Sequence, residues 1–150
     1  MKRGGILHPR LLDVLSAAGH GDVIVLADAG LRVPEDRTRI DLGLACGVPS
    51  MAQVVDAVRQ ELVIESAIVA TEFEDWNPEV YADVVRRLPV TPITQPHVEL
   101  MEDMAERAYA YVKTGECSAY SSVALVCGVN YLDEAVEMYT RLHPDRPSPF

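Results

Sequence analysis

The chain has 150 residues, a single-domain length, with 49% hydrophobic and 24% charged residues, so global disorder is excluded. Thirteen basic residues stand against 23 acidic ones, for a formal net charge of -10. That balance excludes non-specific nucleic-acid binding, which draws its affinity from Lys and Arg on phosphates, and a basic membrane-surface role.

The first expected element is a helix from Pro9, with Leu11, Leu12, Val14 and Leu15 on one stripe and Gly19 and Gly21 stopping it. Proline suits a first helical turn because its missing N–H costs nothing there. His8, just before it, reads as a helix-start residue. Val23 to Ala27 is a continuous apolar run closed by Asp28. Continuous rather than alternating hydrophobicity predicts a strand buried on both faces. A polar loop follows from Ala29 to Arg39, then a second strand over Ile40 to Ala45.

Ser50 with Gln53 three residues on forms a capping-box pattern and opens a helix faced by Met51, Val54, Val55, Val58 and Leu62. Glu61 to Ala70 is strand-like. Asn77-Pro78 opens a helix to about Arg87, and Val90 to Ile93 reads as a short strand. The longest helix is expected from Val98 to Lys113, striped by Met101, Met104, Ala108, Tyr111 and Val112, with Gly115 as its C′ residue. Ser122 to Val129 is another buried strand. Tyr131 to Leu142 has an amphipathic helical pattern, and the proline-rich tail from Pro144 reads as a frayed end.

Alternating strands and helices, with at least three doubly buried strands, predict a three-layer α/β/α domain on a largely parallel sheet. Ligands in such folds bind beyond the carboxyl ends of the strands. Asp28 sits at one such end. The run from Glu116 to Tyr120 precedes the last strand instead, so that rule does not place it.

Gly19-His20-Gly21-Asp22 is the densest polar cluster. Flanking glycines hold the histidine on a tight turn where backbone and ligand can approach closely. Imidazole moves protons in both directions near neutrality. The competing reading makes His20 a helix-end residue and Asp28 a loop cap. His97 stands at the start of the long helix, where a capping role competes with a functional one. Thr114 to Ser122 is a small polar run that could present the Tyr120 phenol to a ligand; the alternative is a plain turn.

No phosphate-binding loop, dinucleotide fingerprint or nucleophile elbow occurs in the sequence. The four histidines lack metal-ligand spacing. These absences suit chemistry that needs only proton movement. Three widely spaced cysteines, Cys46, Cys117 and Cys127, suggest neither a disulfide framework nor a zinc site and fit a reducing, cytoplasmic setting. Lys2 and Arg3 are followed too soon by His8, Pro9 and Arg10 for a signal sequence, and no apolar run approaches a membrane span.

The blocks Lys2 to Pro9, Gly19-His20-Gly21-Asp22, Ala27 to Leu31, Arg39 to Leu42, Gly47 to Ser50, and Thr114-Gly115-Glu116 with Tyr120 occur in that order. Together the chain resembles the D-ribose pyranase and L-fucose mutarotase family over residues 1–130, with residues 131–150 as a helical extension and tail. Asp28-Ala29-Gly30-Leu31 and Arg39-Ile40-Asp41-Leu42 are closer to the pyranase branch.

The resemblance implies a cofactor-free, metal-free isomerase that interconverts cyclic forms of a free monosaccharide. D-ribose is the expected sugar, between pyranose and furanose, with L-fucose or another sugar as the alternative. His20 is implied as proton donor, with Asp28, His97, Tyr120 and Ser122 as sugar contacts. His97 stands one residue from the family's second histidine, counted back from Thr114-Gly115-Glu116. Ser122 occupies a position where pyranases carry asparagine, and Ala119 replaces a proline. The resemblance also implies a ring-shaped homo-oligomer, with rings that can stack in pairs. Two other readings compete: a non-catalytic sugar-binding or transport-accessory protein on the same scaffold, and a phosphoacceptor domain suggested by Val25-Leu26-Ala27-Asp28. The phosphoacceptor reading lacks an acidic pair before the first strand.

Overall fold

The computed structural model describes residues 2–147. Its first helix, α1 (Pro9–Ala17), starts where the proline predicts, and the His8 imidazole Nδ1 accepts the Leu11 amide at 3.2 Å. Strand β1 (Val23–Ala27) follows and is buried throughout. β2 (Thr38–Asp41) is shorter than expected and starts two residues earlier. Helix α2 (Met51–Val58) carries the capping box: Ser50 Oγ accepts the Gln53 amide while the Gln53 side chain accepts the Ser50 amide.

β3 (Ile64–Ala70) leads into a short helix, α3 (Glu72–Trp76), which has no periodic signal in the sequence. α4 (Pro78–Val85), β4 (Ile93–Gln95) and α5 (His97–Arg107) follow. β5 (Ala108–Lys113), β6 (Val123–Cys127) and α6 (Leu132–Leu142) complete the described chain. The frayed tail expected from Pro144 lies outside the described residues from 148 onward.

The expected helix over Val98 to Lys113 needs correction. Helix α5 stops at Arg107 and the chain passes straight into β5. Ala108, Ala110, Tyr111 and Val112 are buried there, between two parallel neighbours. The stripe fits a 3.6-residue period, but Tyr and Val are strand formers, and pairing on both edges overrides the local pattern. No glycine or proline marks the junction. Gly115 is accordingly no helix cap. A Cβ there would collide with the Ala45 and Val48 carbonyls, so only glycine lets the 43–49 loop close over the end of β5.

The six strands form one sheet in the order β2-β5-β1-β6-β3-β4. All run parallel except β6, which is antiparallel to both β1 and β3. Successive residues of β1 feed two cores. Ile24 and Leu26 join α1, α2 and α4 on one face, while Val23, Val25 and Ala27 join Leu100 and Met104 of α5 on the other. This explains the unbroken apolar run and gives the three layers that the sequence predicts.

The reversal of β6 matters for function. The carboxyl ends of β1, β3, β4 and β5 share one edge of the sheet, and β6 begins at that edge. The 116–122 run therefore comes to the ligand-binding edge even though it precedes its strand. The end of β6 lies at the opposite edge, beside the start of β1.

Cys46 and Cys117 are joined as a disulfide, with Cα atoms 5.8 Å apart, against the expectation of unpaired cysteines. They are 71 residues apart in sequence. Spacing along the chain carried no signal, because the contact arises from the 43–49 loop lying on Gly115. Among the described residues no helix is long and apolar enough to cross a membrane.

Candidate functional site

Asp28 follows directly from β1, and its carboxylate is held on both oxygens. Oδ1 accepts the Gly30 amide at 2.9 Å, closing a tight turn, and Oδ2 accepts the Ser122 hydroxyl at 2.7 Å. Ser122 Oγ also accepts the Asp28 amide at 3.0 Å. Each Asp28 oxygen keeps a further acceptor position for a ligand hydroxyl. Ser122 is 3% exposed and lies beneath Asp28 rather than on the cavity wall, so it fixes the carboxylate.

Tyr120 and His97 face the same space. Their rings meet edge-on, with centroids 4.9 Å apart. Tyr120 has φ 61°, a left-handed backbone that costs on the order of 1–3 kcal/mol in a bulky residue and has to be held by its surroundings. Much of that holding traces to Glu116. Its buried carboxylate accepts the Met51 amide at the start of α2, the Cys117 and Ser118 amides, and the Ser118 hydroxyl. Its own amide donates to Thr114 Oγ1, which donates to the Ala27 carbonyl, so the loop is tied to the end of β1.

Two further residues support the aromatic pair and were missed in the sequence. Glu72 accepts the His97 amide at 3.0 Å and so sets the first turn of α5. Trp76 packs edge-on against Tyr120, with centroids 5.3 Å apart, and is 65% exposed. An isolated tryptophan in an unpatterned segment gives no sequence signal. His97 Nδ1 is buried without a hydrogen-bond partner among the described residues.

Asp28, Gly30, Leu31, Arg32, His97 and Tyr120 line an open cavity of about 370 Å³, a size that suits a small polar ligand. Carboxylate, imidazole, phenol and guanidinium there offer both hydrogen-bond donors and acceptors. Three of the sequence-predicted site residues thus come together, with Ser122 directly behind them.

His20 does not join them. It stands on the turn before β1, where Gly21 (φ +82°) donates its amide to the Cys127 carbonyl. The five residues of β1 separate it from Asp28, roughly 15 Å of extended chain. His20 Nε2 instead meets Glu65 Oε2 at 2.6 Å, and both side chains are about half exposed. A carboxylate only accepts, so Nε2 carries the proton and Nδ1 is left for a ligand. One chain therefore presents a binding cavity at one sheet edge and an oriented imidazole at the other.

Cys127 lies near the His20 edge. Burial, and secondarily the Asp22 charge, push its thiol up to about 11, which keeps it in the protonated form at neutral pH. No cluster of three or more His, Cys, Asp or Glu side chains fit to hold a metal occurs among the described residues.

Residues 1–130 match the RbsD / FucU transport protein family. A D-ribose pyranase of Geobacillus thermodenitrificans is 40% identical over 131 residues, covering 87% of this chain and 99% of the relative. The structure of Bacillus subtilis RbsD complexed with D-ribose superposes with a TM-score of 0.79 at 34% identity, covering 86% of this chain and 98% of that one. The fucose mutarotase of Streptococcus pneumoniae in complex with L-fucose shares the fold, with a TM-score of 0.69 at 23% identity, over 86% of this chain and 99% of that one.

Proposed function

This chain belongs to the RbsD / FucU transport protein family, and on that premise we propose that it is a sugar pyranase acting on D-ribose, with its site shared between two copies of the chain. The observation that carries the proposal is the cavity lined by Asp28, His97 and Tyr120, in a chain 34% identical to a protein solved with D-ribose. The sugar hydroxyls bond to Asp28 and its neighbours. His20 comes from a second copy, with Glu65 holding the ring.

The chemistry is proton transfer alone. A base takes the proton of the anomeric hydroxyl while the His20 imidazolium, its Nε2–H held on Glu65, gives its Nδ1 proton to the ring oxygen of the pyranose. The bond between the anomeric carbon and the ring oxygen breaks, giving the open aldehyde. The neighbouring chain hydroxyl then adds to the aldehyde carbon and gives its proton to His20 Nδ1, while the protonated base returns its proton to the carbonyl oxygen, which becomes the anomeric hydroxyl of the furanose. Nothing is oxidised or reduced. General acid–base assistance of this kind contributes about 10²–10⁴-fold.

A head-to-tail contact between the two sheet edges is heterologous, and closed rings are its natural outcome. The reading includes a cytoplasmic setting, whose reducing conditions would open the Cys46–Cys117 disulfide to two thiols. Alkylation before cell lysis, followed by mass spectrometry, is expected to find both modified.

The test is NMR saturation transfer between the ring-form signals of D-ribose, with L-fucose alongside. Wild-type protein accelerates exchange; His20→Ala and Asp28→Asn do not. Co-assembly of the two inactive variants restores about a quarter of the activity, because one shared site in four has both native residues. Recovery of none would place the site within one chain. Sugar binding without any acceleration by the wild type would leave a binding protein.

A further inference from the structure

Helix α6 contributes no residue to the proposed site. It follows the family-matched region, and the relatives align along nearly their full length without it. None of its residues is buried. Its composition is nonetheless sharply two-sided. At ~100° per residue, Tyr131, Leu132, Ala135, Val136, Met138, Tyr139 and Leu142 fall within roughly 160° of arc, and Asp133, Glu134, Glu137, Thr140 and Arg141 take the rest. Tyr131, Met138 and Leu142 are 62%, 53% and 64% exposed. An isolated helix of fewer than about 12–15 residues is marginal in water, so eleven residues with this face call for a partner.

A groove of matching character exists elsewhere on the molecule. Leu31, Arg32, Pro34, Met101, Ala105 and Tyr111 line a cavity of about 400 Å³ against α5. It shares Leu31 and Arg32 with the sugar cavity, so the two adjoin. Arg32 has no carboxylate partner among the described residues, while Glu134 borders the apolar arc of α6, one turn before Met138.

Within one chain Met138 and Leu142 stay exposed, so they do not fill this groove. The root of α6 is fixed at the His20 edge: the Gly128 amide donates to the Val63 carbonyl, and a Cβ on Gly128 would lie 3.1 Å from Glu65 Cβ. Leu132 lies four positions beyond Gly128, at most about 14 Å of chain. A copy whose His20 reaches a neighbour's sugar cavity thus brings its α6 to the mouth of that neighbour's apolar groove.

We propose that α6 of one copy docks by its Met138 and Leu142 stripe into the groove formed by Leu31, Pro34, Met101 and Ala105 of the next copy, walling the side of the sugar cavity. The inference rests on the shared-site reading above. The occupant is a second copy of this chain, because α6 springs from the residues that the neighbour's cavity requires. Glu134 then faces Arg32 at the groove mouth, an ion pair that one chain alone lacks.

The experiment places a photoreactive benzoylphenylalanine at position 138 in the full chain. Labelled ¹⁵N and unlabelled protein are unfolded together, reassembled, irradiated and analysed by peptide mass spectrometry. The expected crosslinks join α6 of one isotope to residues 31–34 or 101–105 of the other. Crosslinks within one isotope only, between two α6 helices, or none at all would overturn the proposal. Met138→Glu and Ala105→Glu are each expected to raise the protein concentration at half-dissociation at least tenfold; unchanged dissociation in both would equally overturn it. These readouts need no sugar. Groove crosslinks from a protein that accelerates no sugar exchange would retain the docking and reject the pyranase, whereas active protein without them would reject the docking alone.

Discussion

Ser122→Ala is the most informative single change in the site. The Ser122 hydroxyl donates to Asp28 Oδ2 at 2.7 Å and accepts the Asp28 amide at 3.0 Å, from a position that is almost wholly buried. A hydrogen bond to an ionised acceptor is worth about 1.5–3 kcal/mol net, and an orphaned amide costs about 1–3 kcal/mol more where water does not replace the partner. Partial solvent access at Asp28 discounts the second figure, so urea unfolding is expected to show a loss of about 2 kcal/mol. The carboxylate also becomes free to rotate about its remaining bond to the Gly30 amide. If one charge-assisted bond is what aligns Asp28 on the sugar, its loss lowers kcat/KM about 10–100-fold, at 1.36 kcal/mol per decade. Ribose exchange by NMR, measured across substrate concentrations, separates KM from kcat. Ser122→Asn retains a donor at this position and is expected to recover most of the activity. A Ser122→Ala protein that loses stability but keeps wild-type kcat/KM would refute the alignment argument and leave Ser122 a purely structural residue.

Other changes probe the rest of the assembly. Glu65→Gln keeps the shape but removes the charge opposite His20 Nε2, and saturation-transfer rates are expected to show kcat reduced about tenfold with little change in KM. Glu116→Gln sets an amide NH₂ among the donors around that carboxylate, and chemical denaturation is expected to register a loss of about 2–3 kcal/mol with a raised KM as the Tyr120 loop loosens. Alkaline stability depends on Cys127. Its folded-state pKa of about 11 lies above the ordinary thiol value of 9.0, so the unfolded state releases its proton first. Between those values the native state binds more protons and stability falls as pH rises, by at most about 3 kcal/mol. Thermal melts from pH 8 to 11 are expected to show a shallower decline for Cys127→Ala than for the wild type.

The periodic elements were the legible part of the fold. Val23 to Ala27, the Ser50 capping box, Pro9 and the amphipathic run after Tyr131 all formed where burial pattern and cap chemistry place them. The failures share a cause. Ala108 to Lys113 fits a helix locally, and only pairing with β1 and β2 makes it a strand. Cys46 meets Cys117 because a loop folds back onto Gly115, a contact that no local pattern encodes. At the site, the residue types were readable but their grouping was not. His20 and Asp28 are eight positions apart, yet a single strand sends them to opposite edges. Ser122 is 94 positions from Asp28, yet it bonds to it. Trp76 and Glu72 act only through Tyr120 and the His97 amide, so chemistry-bearing motifs do not include them.

The reversed direction of β6 connects these observations. Because β6 is antiparallel to β1, its start carries Tyr120 and Ser122 to Asp28, while its end carries the chain to Glu65 and His20. The same reversal delivers α6 to the second edge, so the strand that completes the cavity also launches the extension away from it. Under the shared-site reading, activity then depends on assembly rather than on the folded chain alone. A dilute protein that falls apart keeps its cavity and its imidazole but loses their meeting, so specific activity is expected to drop with dilution along the dissociation curve. Docking of α6 would lower the concentration at which that drop occurs. The extension would then affect ribose turnover through the copy next to it, without contributing a reacting group.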